Sequence, residues 1–172
     1  MPVNAGSGAK WQPPEIKGNF PAGANIGDQL YGIMQVREAI IWNKNLVKDA
    51  DAPKEWAALM DPRWKGKVAL NTPWRSISVQ QMFAYWDKIG INDAAEKFKA
   101  NDVKFFEGSS GIIQAVVRGD AAVAHITDIP LNGMLADGAP IGFTYPKSGT
   151  TTSDSIAGVA AKARIAGFTM VE

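Results

Sequence analysis

Short apolar, β-branched runs alternate along this chain with stretches whose apolar residues recur every three to four positions, which predicts strands alternating with helices. Residues 1–27 are rich in Gly, Pro and Asn with little periodicity, and predict irregular structure or a connection. Residues 29–42 are apolar and β-branched, interrupted by Arg37 and Glu38, and predict a strand pair or one long bent strand. A short helix is expected to open at 52–56 with Pro53 in its first turn, so that Trp56, Leu59 and Met60 share a face. Residues 67–70 predict a strand. Val79, Met82, Phe83, Trp86 and Ile89 then mark a helix ended by Gly90. Asn92 and Asp93 are expected to cap a further helix that turns Ala95 and Phe98 inward.

Residues 103–106 predict a strand, 107–111 a turn, and Ile112, Ile113, Val116 and Val117 a helix stopped by Gly119. A strand is expected at 121–126, and Thr127 and Asp128 then lead a helix through Leu131 and Leu135. The last elements are a strand at 141–145, a polar loop at 146–154 and a strand at 155–160. Strands and helices at these intervals predict an α/β fold with a mostly parallel sheet flanked by helices.

A chain of 172 residues fits one domain, or a domain with pieces of a second, and its 46% apolar and 20% charged content is ordinary for a globular protein. The formal charge of +1 offers no basic excess for phosphate neutralisation, so no nucleic-acid partner is expected. No run of about 18 apolar residues is present to span a membrane. With no cysteine and one histidine, thiolate catalysis, disulfides, a histidine triad and Cys- or His-based metal sites are not expected. Phosphate-loop and dinucleotide fingerprints are incomplete, so no cofactor is expected and no catalytic residue is assigned.

In an open parallel sheet, ligands gather where strand carboxyl ends meet helix amino termini. The loops 71–76, 107–111 and 127–128 all fall at that edge. They offer Thr72, Trp74, Arg75, Ser76, Ser109, Ser110, Gly111, Thr127 and Asp128. Taken singly, a Ser, Thr or Asp at such a place is an N-cap. Three such loops on one edge, with an arginine able to grip an oxyanion through two bonds, point to a polar or anionic ligand. Trp74 either stacks on that ligand or packs locally. Glu107 and Asp128 are candidates for a carboxylate pair. His125, in the middle of a strand, reads as a packed, hydrogen-bonded residue, and Trp56, Trp64 and Trp86 read as core.

The run EWAALMDPRWKGKVA, from Glu55 to Ala69, resembles a stretch of the solute-binding proteins of iron(III)-type ABC importers. The segments 106–111 and 114–124 are similar to the following helix and strand of that family, and 39–43 and 145–150 resemble its two interlobe crossings. The resemblance implies one lobe of a type 2 periplasmic-binding-protein clamshell. Its expected divisions are 1–42 as connection and first crossing, 43–140 as the second-lobe α/β domain, and 141–172 as return crossing and first-lobe remnant. It implies a small-molecule solute, an ABC permease in the membrane, a first lobe expected in the full-length protein, and a periplasmic location with the secretion signal outside these residues. It also implies that Trp74, Arg75, Ser76, Ser109, Ser110, Gly111, Thr127 and Asp128 line the cleft and bind the solute. Iron-binding members carry paired tyrosines where Ile129 and Pro130 stand here, so the resemblance implies an anionic or phosphorylated organic solute before ferric iron. The alternative is a ligand-sensing domain of a transcriptional regulator with the same clamshell fold.

Overall fold

The structure, a computed structural model, describes residues 25–26 and 30–158. The chain divides into two compact units, one of residues 1–35 with 154–172 and the other of residues 36–153. In the first unit β1 (Asn25–Ile26) pairs antiparallel with the beginning of β2 (Leu30–Asn43), and Gln35 Nε2 donates to Asp154 Oδ1 at 3.3 Å. The reading of residues 1–27 otherwise lies outside the described residues.

The second unit is built on the remainder of β2 and on β3 (Val68–Asn71), β4 (Lys104–Phe106), β5 (Val123–Thr127) and β6 (Ile141–Thr144). Strand order runs β2-β5-β3-β4, and β6 and β7 (Thr152–Gly158) also pair with β2. β3 pairs parallel with β4 and with β5, as the strand–helix alternation predicts. β2 instead runs antiparallel to both β5 and β6, which makes the sheet mixed.

Period-2 alternation along these strands divides the core into two apolar layers. Ile40, Trp42, Val68, Leu70 and Val123 face one side, where they meet Trp56, Leu59, Met82, Trp86 and Phe98. Ala39, Ile41, Ala69, Ala124 and Ile126 face the other, against Ile112, Ile113, Val116 and Leu131. The first layer is covered by α1 (Trp56–Leu59), α2 (Ile77–Lys88) and α3 (Ala94–Ala100), and the second by α4 (Gly108–Arg118) and α5 (Leu131–Ala136). Each large side chain buried here contributes roughly 1.5–3 kcal/mol from removing apolar surface from water. Among the described residues no helix is long and apolar enough to cross a membrane.

Several local expectations are corrected. The first helix begins only at Trp56, with Glu55 at its N-cap, so Pro53 precedes it. The carboxylate of Asp93 makes no cap bond and instead reaches Lys97 at 3.0 Å, one helical turn on. The expected turn at 107–111 is the first turn of α4, because Gly108 already starts the helix. The loop expected at 146–154 ends earlier, since β7 begins at Thr152, and residues 159–160 lie outside the described residues. Gly119 does stop α4: it takes the left-handed conformation, φ +85°, that lets its N–H return to Val116 O.

Candidate functional site

Because β3, β4 and β5 are mutually parallel, their carboxyl ends lie on one edge and bring the three loops together. Short polar contacts stitch these loops. Thr72 is buried and donates twice to Phe106 O, from its backbone N at 3.0 Å and its hydroxyl at 3.1 Å. Asn71 Oδ1 accepts from Thr72 N at 2.8 Å and from Gly108 N at 3.2 Å, fixing the entry to α4. Ser109 Oγ and Thr127 Oγ1 lie 2.8 Å apart and join the β4 and β5 ends.

The remaining candidates separate into different jobs. Ser76 is the N-cap of α2, its hydroxyl accepting from Val79 N at 3.5 Å. Ser109, Ser110 and Gly111 form the first turn of α4; its N-cap residue Glu107 makes no side-chain cap bond and its carboxylate pairs with Arg75, while Asn71 takes the Gly108 N–H. The Arg75–Glu107 ion pair is exposed on both sides, and such a pair contributes little to stability. Trp74 is 71% exposed and leans on Phe105, their rings 5.6 Å apart. Asp128 is not the cap of α5, whose N-cap is Pro130.

Asp128 is the centre of a tighter cluster. Its carboxylate accepts from Arg37 N at 3.0 Å, Arg37 Nε at 3.3 Å and the Tyr145 hydroxyl at 2.8 Å. Asp128 N returns a bond to Arg37 O at 2.8 Å, and the Arg37 guanidinium carbon lies 4.6 Å from the centre of the Tyr145 ring. Burial, and then the hydrogen bond to the Asp128 carboxylate and its charge, push the Tyr145 hydroxyl above its ordinary value, so it stays a donor. Glu107 and Asp128 thus do not pair with each other: each carboxylate serves an arginine. Arg37 and Tyr145 went unnoticed as site residues in the sequence. The one local signal was a charged Arg37-Glu38 pair interrupting an otherwise apolar strand.

Just beneath Thr127, His125 is 1% exposed and packs edgewise on Trp56 and Trp86, ring centres 5.6 and 5.9 Å away. It is packed, as the sequence implies, but the expected hydrogen bond is not made. Its Nε2 approaches a Glu38 carboxylate oxygen to 2.8 Å without the alignment of a hydrogen bond, and Nδ1 has no partner among the described residues. Elsewhere, α2, α3 and β4 enclose a groove of about 700 Å³ lined by Phe83, Phe98, Val103 and Phe105. That groove gathers few polar groups, unlike the strand-end edge. Among the described residues no three His, Asp or Glu side chains converge as a metal-ligand set.

The family model of the bacterial extracellular solute-binding proteins matches residues 9–165. No curated protein matches the chain. Among solved structures, a substrate-binding protein of an ABC transporter from Agrobacterium tumefaciens is 21% identical with a TM-score of 0.78, covering 94% of this chain and 50% of its own. Iron-bound HitA from Pseudomonas aeruginosa is 21% identical with a TM-score of 0.69, covering 91% and 53%. The periplasmic binding protein AfuA from Actinobacillus pleuropneumoniae, with fructose-6-phosphate bound, is 19% identical with a TM-score of 0.69, covering 92% and 53%. At these identities the likeness is one of fold, and the chain spans about half the length of each structure.

Proposed function

Given that this chain belongs to the bacterial extracellular solute-binding protein family, we propose that it forms one lobe of the capture subunit of an ABC importer and holds a small anionic solute at its strand ends. The observation that carries this reading is the gathering of two arginines, the Ser109–Thr127 hydroxyl pair and the first turn of α4 on one sheet edge. Hydroxyls, N–H groups at a helix start and guanidinium forks are the donors that carboxylates and phosphate esters require. Trp74, Arg75, Ser76, Ser109, Ser110, Gly111, Thr127 and Asp128 remain the lining set, now joined by Arg37 and Tyr145.

Capture needs no covalent step, and the site offers no activated nucleophile. Ile129 and Pro130 supply no anionic oxygen, which favours an organic anion over ferric iron. HitA is described with iron and AfuA with a sugar phosphate, so this fold serves both kinds of ligand. In this reading the opposing lobe belongs to the full-length gene product, the partner is a membrane permease, and the location is the periplasm.

A low-salt thermal-shift screen of the chain and of its full-length gene product tests the proposal. The panel holds inorganic phosphate, glycerol 3-phosphate, a phosphonate, citrate, a polyol and ferric citrate. Ligand at about 100 times its Kd stabilises by roughly 2.7 kcal/mol, on the order of 5 °C in Tm. One anionic class is expected to give that shift in the full-length protein, and a weaker one in this chain, which spans about half the length of the structures it resembles. A shift with ferric citrate alone overturns the organic-anion reading. No shift with any compound moves the weight to the sensing-domain alternative.

A further inference from the structure

We infer that Arg37, clamped by Asp128 and Tyr145, is the side chain that grips the solute's anionic group; this rests on the capture reading above. Arg37 sits on β2 beside the carboxyl end of β5, since its neighbour Glu38 is registered opposite Thr127. It therefore stands at the same edge as the Ser109–Thr127 hydroxyl pair.

What sets Arg37 apart is how completely one side of its guanidinium is held. The Nε edge is tied to Asp128 at 3.3 Å, and one face lies on the Tyr145 ring. The backbone on either side is fixed too, through Arg37 N to the Asp128 carboxylate and Asp128 N to Arg37 O. Asp128 itself is only 13% exposed and is anchored a third time by the Tyr145 hydroxyl. The two outer nitrogens, by contrast, make no hydrogen bond among the described residues, and the side chain is 50% exposed. A planar fork immobilised along its inner edge, whose outer N–H groups have no partner among the described residues, can donate to two oxygens of one oxyanion without first losing side-chain freedom.

Arg75 lacks these supports. Its guanidinium is already engaged by Glu107, both partners are mostly exposed, and among the described residues its one side-chain bond is that ion pair. An incoming anion must displace Glu107 before Arg75 can contribute, so Arg75 is the secondary contact. Asp128 and Tyr145 act through Arg37 and are positioning residues.

The test is calorimetric titration of the full-length gene product with inorganic phosphate, glycerol 3-phosphate and citrate. Arg37→Gln, Arg37→Lys, Arg75→Gln and Tyr145→Phe are compared with the wild type. Charge-assisted bonds of roughly 1.5–3 kcal/mol imply about a 10- to 100-fold loss for Arg37→Gln. Lysine keeps the charge and forfeits the fork, so Arg37→Lys is expected to recover at most a third of the lost binding free energy. Tyr145→Phe is expected to weaken binding about fivefold, and Arg75→Gln about threefold. Arg37→Lys also serves as the folding control: a wild-type Tm without ligand, with affinity still reduced, separates grip from structure. If a probe binds and Arg37→Gln or a folded Arg37→Lys stays within threefold of wild type, the inference falls and capture stands. If the wild type takes up none of the probes, both this inference and the anionic-solute reading fall.

Discussion

Gly142 stands opposite Trp42 in the β2–β6 pairing, and the indole of Trp42 lies directly across it. A methyl group placed there would meet Trp42 Cε2, Cζ2 and Nε1 at 2.2, 2.3 and 2.5 Å, against the roughly 3.5–4.0 Å that carbon atoms require. The indole cannot yield cheaply. It is 4% exposed, its Nε1 donates to Asp49 at 2.9 Å, and Lys54 Nζ sits 3.8 Å over its ring. Displacing it forfeits a hydrogen bond of about 1 kcal/mol and a cation–π contact of about 0.5–1 kcal/mol. Overpacking strain adds a further 1–3 kcal/mol or so. Gly142→Ala is therefore expected to destabilise the 36–153 unit by about 3–4 kcal/mol, on the order of 10 °C in Tm. Urea unfolding read by tryptophan fluorescence measures this directly, with a lowered midpoint at unchanged slope. In a Trp42→Leu background, where no indole lies over the strand, the same substitution is expected to cost under about 1 kcal/mol. A loss below about 0.5 kcal/mol in the wild-type background would refute the steric reasoning.

Three further outcomes follow from the packing. Asn101 is buried and its side-chain amide donates to Met60 O and Asp61 O at 2.9 and 3.0 Å, so Asn101→Ala is expected to cost about 2–3 kcal/mol in urea unfolding. Glu55 is held below the usual carboxylate value first by the Ser148 hydroxyl, with burial opposing it next and the Ser148 and Lys147 amides adding to the lowering. Its stabilising share is thus present above about pH 4.5 and lost as pH falls through the lowered folded value; Glu55→Gln should flatten the acid limb of a Tm–pH profile. Tyr145 is shifted the opposite way, so its share is present below about pH 10 and lost as pH rises through the raised value. A spectrophotometric titration should accordingly show a tyrosine ionising above about pH 10 that Tyr145→Phe removes.

The parts of this fold visible in the sequence are those set by local spacing. Val68-Ala69-Leu70 is a short continuous apolar run, as a strand buried on both faces requires, and Val79, Met82 and Trp86 repeat at helical intervals, so strand and helix could be told apart before any tertiary contact was known. The three loops at one edge followed from the parallel order of β3, β4 and β5. The Arg37–Asp128–Tyr145 cluster was hidden because its bonds span 91 and 17 residues and depend on β2 entering antiparallel beside β5. Periodicity carries no information about such a pairing. Side-chain competition was equally silent: Asp93 chooses Lys97 over a cap, and Glu107 chooses Arg75 over the amides of α4. At Asp93 an ion pair settles what capping propensity alone would assign otherwise.

Capture at the carboxyl ends of β3, β4 and β5 can be tested directly on this chain. At 18.5 kDa the chain is suited to amide nitrogen–proton correlation spectra, which locate binding residue by residue. Titration with the anion that most stabilises the full-length protein is expected to give saturable shifts at Arg37, Ser109, Ser110, Gly111, Thr127 and Asp128, with little change around Phe83 and Phe98. Saturable shifts centred on the Phe83–Phe98 groove, or none at any of these strand-end amides while the anion binds, would contradict the account.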